Sequence, residues 1–371
     1  MSKTFAAVST MVGTIIGAGI LGIPYVVMRS GFLIGVLNMI VIAAILLLVN
    51  LYLGEIGLRT KTNHHLSGYA EKYLGKKGKL LMFFAFAFGV YSALIAYLIG
   101  EGESFSYFFF NSTDYSLYFG IAFWFLLSAI TYFGLKALEE GEEFGIVVIF
   151  LLIISIAIFY ANKIDVSNLT YNNPSLFYVP FGVILFAFLG FSAIPEVERI
   201  LRKDKGLTKR VICISSLVTL IIYIIFTAIV VGSQSQPTPQ LATLALGKVF
   251  IFFGILTMFT SYLALATALV DTFRFDFKKT KNRAWLYTIC LPLPIFLILH
   301  FFNKASFIKI LGIGGVISGT IVAALILLMI KKAKKLGSRK PEYSVPYSRI
   351  LAWLIVLILA AGAVLEIWSS F

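Results

Sequence analysis

The chain has 371 residues, of which 60% are hydrophobic and 13% charged, with a formal net charge of +14. A soluble domain averages about 45–50% apolar and about 25% charged residues, so this composition excludes a water-soluble globule and describes a polytopic membrane protein. Its long, unalternating apolar runs match helices of about 20 residues across a bilayer core about 30 Å thick, and exclude a barrel of alternating strands about 10 residues long.

Hydropathy places eleven helices at 5–28, 31–58, 80–110, 117–134, 144–161, 178–201, 211–232, 246–273, 285–302, 307–330 and 350–368. The stretch 61–79 is too polar to span and reads as a short interfacial segment. Glu139, Glu140, Glu142 and Glu143 read as a solvated acidic turn. With the N-terminus inside, 26 of the 31 Lys and Arg residues fall on one side of these helices. That asymmetry predicts a plasma-membrane protein with its N-terminus cytoplasmic and its C-terminus external, and it explains the basic charge without nucleic acid. Two sequons, at Asn111 and Asn168, fall on the expected outer side. Cys213 and Cys290 sit in apolar runs and read as core packing. The three histidines, His64, His65 and His300, make no ligand cluster.

Five helices form an odd-numbered unit, so a second unit of five starts on the opposite side and is inverted. The expected fold is a single all-α membrane domain over 1–371: repeat one at about 5–161, repeat two at about 178–330, and an extra helix at about 350–368. Transporters built this way carry a discontinuous first helix in each repeat. Here Gly17 and Gly19 lie near the middle of the first helix, and Gly190 to Ser192, followed by Pro195, lie near the middle of the sixth. Glycine permits backbone angles that interrupt a helix, and proline at the first position of a new half-helix gives up no bond it needed. Freed backbone groups are tolerated in hydrocarbon only where they line a cavity or meet a ligand. The positive ends of two half-helices suit a carboxylate, and the negative ends of the other two suit an amine or cation, which together fit a zwitterion.

The run 13–25, GTIIGAGILGIPY, resembles the first-helix signature of the amino acid/auxin permease family and its relatives, the bacterial aromatic amino acid permeases, within the amino acid, polyamine and organocation superfamily. FAFLGFSAIPEV in the sixth helix, TSYLALATALVD in the eighth and EIGLRTKTNHHLSGYAEKYLG after the second fit the same pattern. The resemblance spans the first ten helices. It implies the inverted-repeat fold of the bacterial leucine transporter, amino acid substrates, alternating access, and coupling to Na⁺ or H⁺. One departure stands out: the aromatic permeases carry a histidine near the position of Phe191 or Ser192, and this chain has none.

The substrate carboxylate is expected at backbone N–H groups around Gly17, Ala18, Gly19 and Ile20, and the amine at the Ile15 carbonyl and those from Phe188 to Gly190. Phe188, Phe191 and Ser192 would shape the pocket, with Tyr91 or Tyr97 reaching it from the third helix. From the sodium-coupled members of the superfamily, the resemblance implies a candidate Na⁺ site made by the Thr260 and Ser261 hydroxyls with the Gly13, Ile16 and Thr257 carbonyls. Glu196, in the first turn after the sixth-helix break, is the candidate coupling or gating acid. Glu198 is expected to pair with Arg202 and Glu55 with Arg59, one turn on in each case, and Glu101 and Glu103 to reach the external interface. No other cofactor, no obligate protein partner and no catalytic constellation is expected, and no phosphate-binding loop argues for ATP drive. The reading is a secondary active transporter of neutral amino acids; the alternative is an amino acid sensor, facilitator or channel on the same fold.

Overall fold

The first apolar run does not make one straight helix. In the computed structural model, α1 (Lys3–Ile15) stops at Ile16–Ala18 and α2 (Gly19–Ser30) restarts at an angle of 53°. The structure describes residues 3–62, 64–133, 151, 154–156, 158–234 and 238–370. The acidic turn at Glu139 to Glu143 and most of the expected fifth helix lie outside the described residues. Among the described residues, nine helices are long and apolar enough to cross a membrane, and the bent pair brings the number to ten.

After the pair come α3 (Phe32–Leu58), α4 (Leu66–Phe110) and α5 (Ser116–Phe133). The polar stretch expected to lie at the interface is helical from Leu66. Gly75, with φ of 80°, separates this amphipathic turn from the long span at 76–110, a conformation that favours glycine. The sixth span is split like the first, into α6 (Phe181–Ala187) and α7 (Ile194–Ile200) with a tight turn at Phe191–Ala193 between them. Then follow α8 (Thr208–Ser233), α9 (Lys248–Asp271), α10 (Lys281–Cys290), α11 (Pro292–Phe301), α12 (Phe307–Leu336) and α13 (Arg349–Ser370).

Small residues bring the central helices together. A Cβ on Gly89 of α4 would lie 2.6 Å from the Ser318 Cβ of α12, and one on Gly314 would lie 2.5 Å from the Ser92 Cβ. Helices pack this closely in a membrane where glycine and serine line the seam. The outward faces are apolar instead. Leu217, Ile221 and Ile225 are exposed one turn apart along α8, as are Ile350, Leu354 and Leu357 on α13, which is the surface that lipid covers.

The basic segments meet on one face. Lys3 pairs with Asp204 at 2.7 Å, the His65 ring stacks on Phe275, and Ser338 Oγ donates to the Arg59 carbonyl. On this face the segment 337–348 crosses the end of α3. Glu55, fully buried, accepts from Arg59 Nε (2.8 Å), Lys334 Nζ (2.9 Å), Ser344 Oγ (2.9 Å) and the Val345 N–H (2.8 Å). The Arg59 partner is the expected one; the other three come from distant sequence. On the opposite face the segment 161–180 folds over α3 and α8, with the Asn173 N–H donating to the Ser30 carbonyl. The Asn168 amide there donates to the Gly232 carbonyl at 3.0 Å, so one sequon is already engaged in the fold. Asn111 ends α4 in a left-handed conformation. Cys213 is half-buried, whereas Cys290 is exposed on the outer surface rather than packed in the core.

Candidate functional site

The two interrupted spans cross at their breaks. A Cβ on Gly19 would lie 2.6 Å from the Ala187 Cα, and one on Gly190 would lie 2.8 Å from Ile15 Cγ1. Each glycine therefore supplies the closeness that lets the other span's break approach. Breaking two helices in one place leaves carbonyls without partners at the ends of α1 and α6. Tyr223 of α8 meets both: its hydroxyl lies 2.9 Å from the Ile15 carbonyl and 2.8 Å from the Ala187 carbonyl. Its ring packs edge-on against Phe188 with centroids 5.0 Å apart, and both rings are buried.

Tyr97, also buried, closes the other side of the first break. Its hydroxyl and the Ser261 Oγ both border the break at Gly17, where they would stand 3.2 Å and 2.8 Å from a Cβ. The break is thus held between α4 and α9 on one side and α6 and α8 on the other.

A cavity of about 580 Å³, including its open mouth, begins at this junction. Its apolar wall is Phe86, Val90, Phe186, Leu189, Leu265 and Val322, and its polar groups are Thr14, Tyr97, Ser192 and Ser318. Among the described residues, no Asp, Glu, Lys, Arg or His lines it. From Tyr97 back to Phe86 the α4 wall covers about 16 Å at 1.5 Å per residue, so the cavity leads from the breaks toward the basic face. Beyond the breaks the other side is filled: Ile20, Leu21, Phe253 and Phe307 are fully buried there. The arrangement offers backbone ends and hydroxyls to a small molecule.

The tryptophan/tyrosine permease family model matches residues 1–369. The chain belongs to this family. It is also 24% identical over 355 residues to glutamine transporter 2 of Aliivibrio fischeri, covering 90% of each chain. Among solved structures it shares the fold of MhsT, crystallised in complex with L-phenylalanine, at a TM-score of 0.71 and 15% identity, covering 100% of this chain and 99% of that one. The chain is therefore an amino acid permease family member and a multi-pass membrane protein. The expectation of an amino acid permease family holds, and the family is that of the tryptophan/tyrosine permeases rather than the amino acid/auxin permeases.

Several expected site residues of this family member come together. Gly17 and Gly19, Ile15, Phe191, Ser192 and Tyr97 line the cavity, while Ala18, Ile20, Phe188 and Gly190 are buried at its head. The Ile15 carbonyl already accepts from the Gly17 N–H (2.9 Å) and from Tyr223, so both its lone pairs are used within the protein. Tyr91 lies elsewhere, donating to the Tyr287 carbonyl at 2.7 Å.

The expected Na⁺ ligands are separated. Ser261 faces the first break and Thr257 is buried, but Thr260 is exposed and its hydroxyl bonds the Leu256 and Thr257 carbonyls of its own helix, each at 3.1 Å. Adjacent residues on a helix point about 100° apart, which leaves Thr260 turned away. Gly13 and Ile16 flank the break as expected, yet the five-ligand set does not fit without Thr260.

The acids trade places. Glu196 is partly exposed and paired with Arg199 rather than set in the cavity. Glu198, expected to pair with Arg202 near the surface, is 7% exposed; Tyr69 donates to it at 3.3 Å, and it rests against Gly57 in space that any side chain at that position would occupy. Glu101, expected at the interface, is fully buried, and Glu103 lines a separate polar hollow with Ser116, His300 and Asn303. Three groups at the site were not anticipated: Tyr223, Ser318 and Asn50, a buried amide within the apolar run of α3 that faces Gly190.

Proposed function

We propose that this chain is a secondary active transporter of neutral amino acids, working by alternating access at the junction of its two broken helices. The observation that carries the reading is the uncharged cavity that begins where α1, α2 and α6 meet. A zwitterion presents one negative and one positive group to any carrier, and helix ends can meet both without a buried charged side chain. The carboxylate binds the start of α2, at Ala18 and Gly19, since the Ile20 N–H donates to the Gly17 carbonyl. The amine binds the carbonyls from Phe188 to Gly190, since that of Ile15 is engaged by Tyr223. The side chain extends along the apolar wall, where an unpaired charge would be costly. The tryptophan/tyrosine permease family, the related glutamine transporter and the phenylalanine bound to MhsT all concern amino acids with uncharged side chains and support this class.

The overall plan is a five-plus-five inverted repeat of ten spans with α13 as an eleventh. The face that gathers the basic segments is cytoplasmic by the positive-inside rule, so the cavity in this structure leans inward. The driving ion is H⁺ or Na⁺; any sodium ligands must differ from the Thr260-centred set. Uptake of a labelled amino acid panel into liposomes holding the purified protein, under an imposed proton or sodium gradient, tests the reading. Uptake of neutral members under one of the two gradients is expected. No uptake under either overturns it.

A further inference from the structure

The cavity has two ends, and only the head at the helix breaks is used by the backbone of an amino acid. Its far part lies between α4 and α12, where Gly89 and Ser318 stand face to face. Serine in a membrane helix ordinarily returns its hydroxyl to a carbonyl of its own helix or bonds a neighbour. Thr14, in the same cavity wall, does so, donating to the Thr10 carbonyl at 2.8 Å. Ser318 does not: its hydroxyl has no hydrogen-bond partner among the described residues, although the residue is only 5% exposed. Around it the wall is apolar, formed by Phe86, Val90, Leu265 and Val322.

The spacing suits a side chain that reaches from the head to this point. Gly89 precedes Tyr97 by eight residues, about 12 Å along the axis of α4. Helical side chains lean toward the N-terminus, so the Tyr97 hydroxyl at the head lies closer to Gly89 than the backbone distance implies. The remaining gap is the length of a long or aromatic side chain. Gly89 matters to the same point, because any side chain there would fill the space against Ser318.

Resting on the transporter reading above, we propose that Ser318 determines which neutral amino acids the chain selects. Its hydroxyl pairs with a hydrogen-bonding group at the far end of an otherwise apolar side chain, such as a phenol or a primary amide. A substrate lacking that group leaves the hydroxyl buried without a partner, which is how a polar site discriminates against an apolar analogue.

The test is competitive uptake into liposomes with two near-isosteric pairs, tyrosine against phenylalanine and glutamine against methionine. The wild type is expected to favour the polar-ended member of at least one pair. Ser318→Ala is expected to lower that preference about tenfold, the weight of one neutral hydrogen bond, while Ser318→Thr retains it. A purely structural role in the α4–α12 seam would change the rates of both members together and leave their ratio alone. An unchanged ratio in Ser318→Ala, or a wild type that favours the apolar member of both pairs, overturns the proposal while leaving transport itself established. Absence of uptake of any amino acid by the wild type overturns the transporter reading along with it.

Discussion

Gly19 and Ala187 touch across the two helix breaks, so closely that a Cβ on Gly19 would lie 2.6 Å from the Ala187 Cα. The atom in the way is backbone, which cannot swing aside as a flexible side chain can. Gly19→Ala therefore pushes α2 away from α6 at the head of the cavity. Overpacking of this kind costs about 1–3 kcal/mol. We expect a protein that still inserts and purifies, unfolds at a lower temperature in detergent, and loses most of its uptake.

Tyr223 reaches the same junction from the other side. Tyr223→Phe keeps the ring against Phe188 and removes only the hydroxyl, leaving the Ile15 and Ala187 carbonyls without their shared donor. A buried acceptor left unsatisfied costs about 1–3 kcal/mol. The expected outcome is a lower unfolding midpoint and uptake reduced about tenfold at the centre of that range. Wild-type uptake in this variant would count against the bridge as a functional contact.

Away from the cavity, Glu55 is the main fastening of the segment 337–348 to α3. Glu55→Ala leaves Lys334 and Arg59 without their buried partner and frees the Ser344 hydroxyl and the Val345 N–H. Removing one member of a buried ion pair costs about 3–5 kcal/mol. A large fall in the unfolding temperature is expected, along with faster proteolytic cleavage within 337–348. A stability equal to that of the wild type would show that this segment is held by other contacts.

Thr260 and Ser261 should separate cleanly in uptake assays. Thr260→Ala removes a hydroxyl that bonds only its own helix, so uptake and any response to Na⁺ should stay unchanged. Ser261→Ala removes a hydroxyl that stands against Gly17 at the first break beside that of Tyr97, and uptake should fall. The reverse pattern would restore the Thr260-centred ion site.

The breaks were legible because glycine and proline are the residues that interrupt helices, and Gly17, Gly19, Gly190 and Pro195 mark both at matching depth. What followed each break was less so. The turn at Phe191–Ala193 resets the phase of the sixth helix, so which of Glu196 and Glu198 faces inward depends on an angle that spacing does not record. Thr260 and Ser261 read alike in the sequence, and what separates them is packing: Ser261 is buried against the first break, while Thr260 is exposed and bonds its own helix. Asn50 too could have been found, as an amide in an apolar run. Tyr223 could not: it is one of 18 tyrosines, and its role comes from two carbonyls that lie far from it in sequence. The partners of Glu55 beyond Arg59 were hidden for the same reason.

The central claim is that an amino acid is carried through the junction of the two broken helices. It is tested most directly by accumulation of a labelled neutral amino acid in liposomes bearing an imposed ion gradient, comparing the wild type with Gly19→Val. The account predicts accumulation above the external concentration by the wild type, collapse of that accumulation when an ionophore dissipates the gradient, and none by the variant. A wild type that does not accumulate the amino acid, or a Gly19→Val protein that accumulates it equally, would contradict the account.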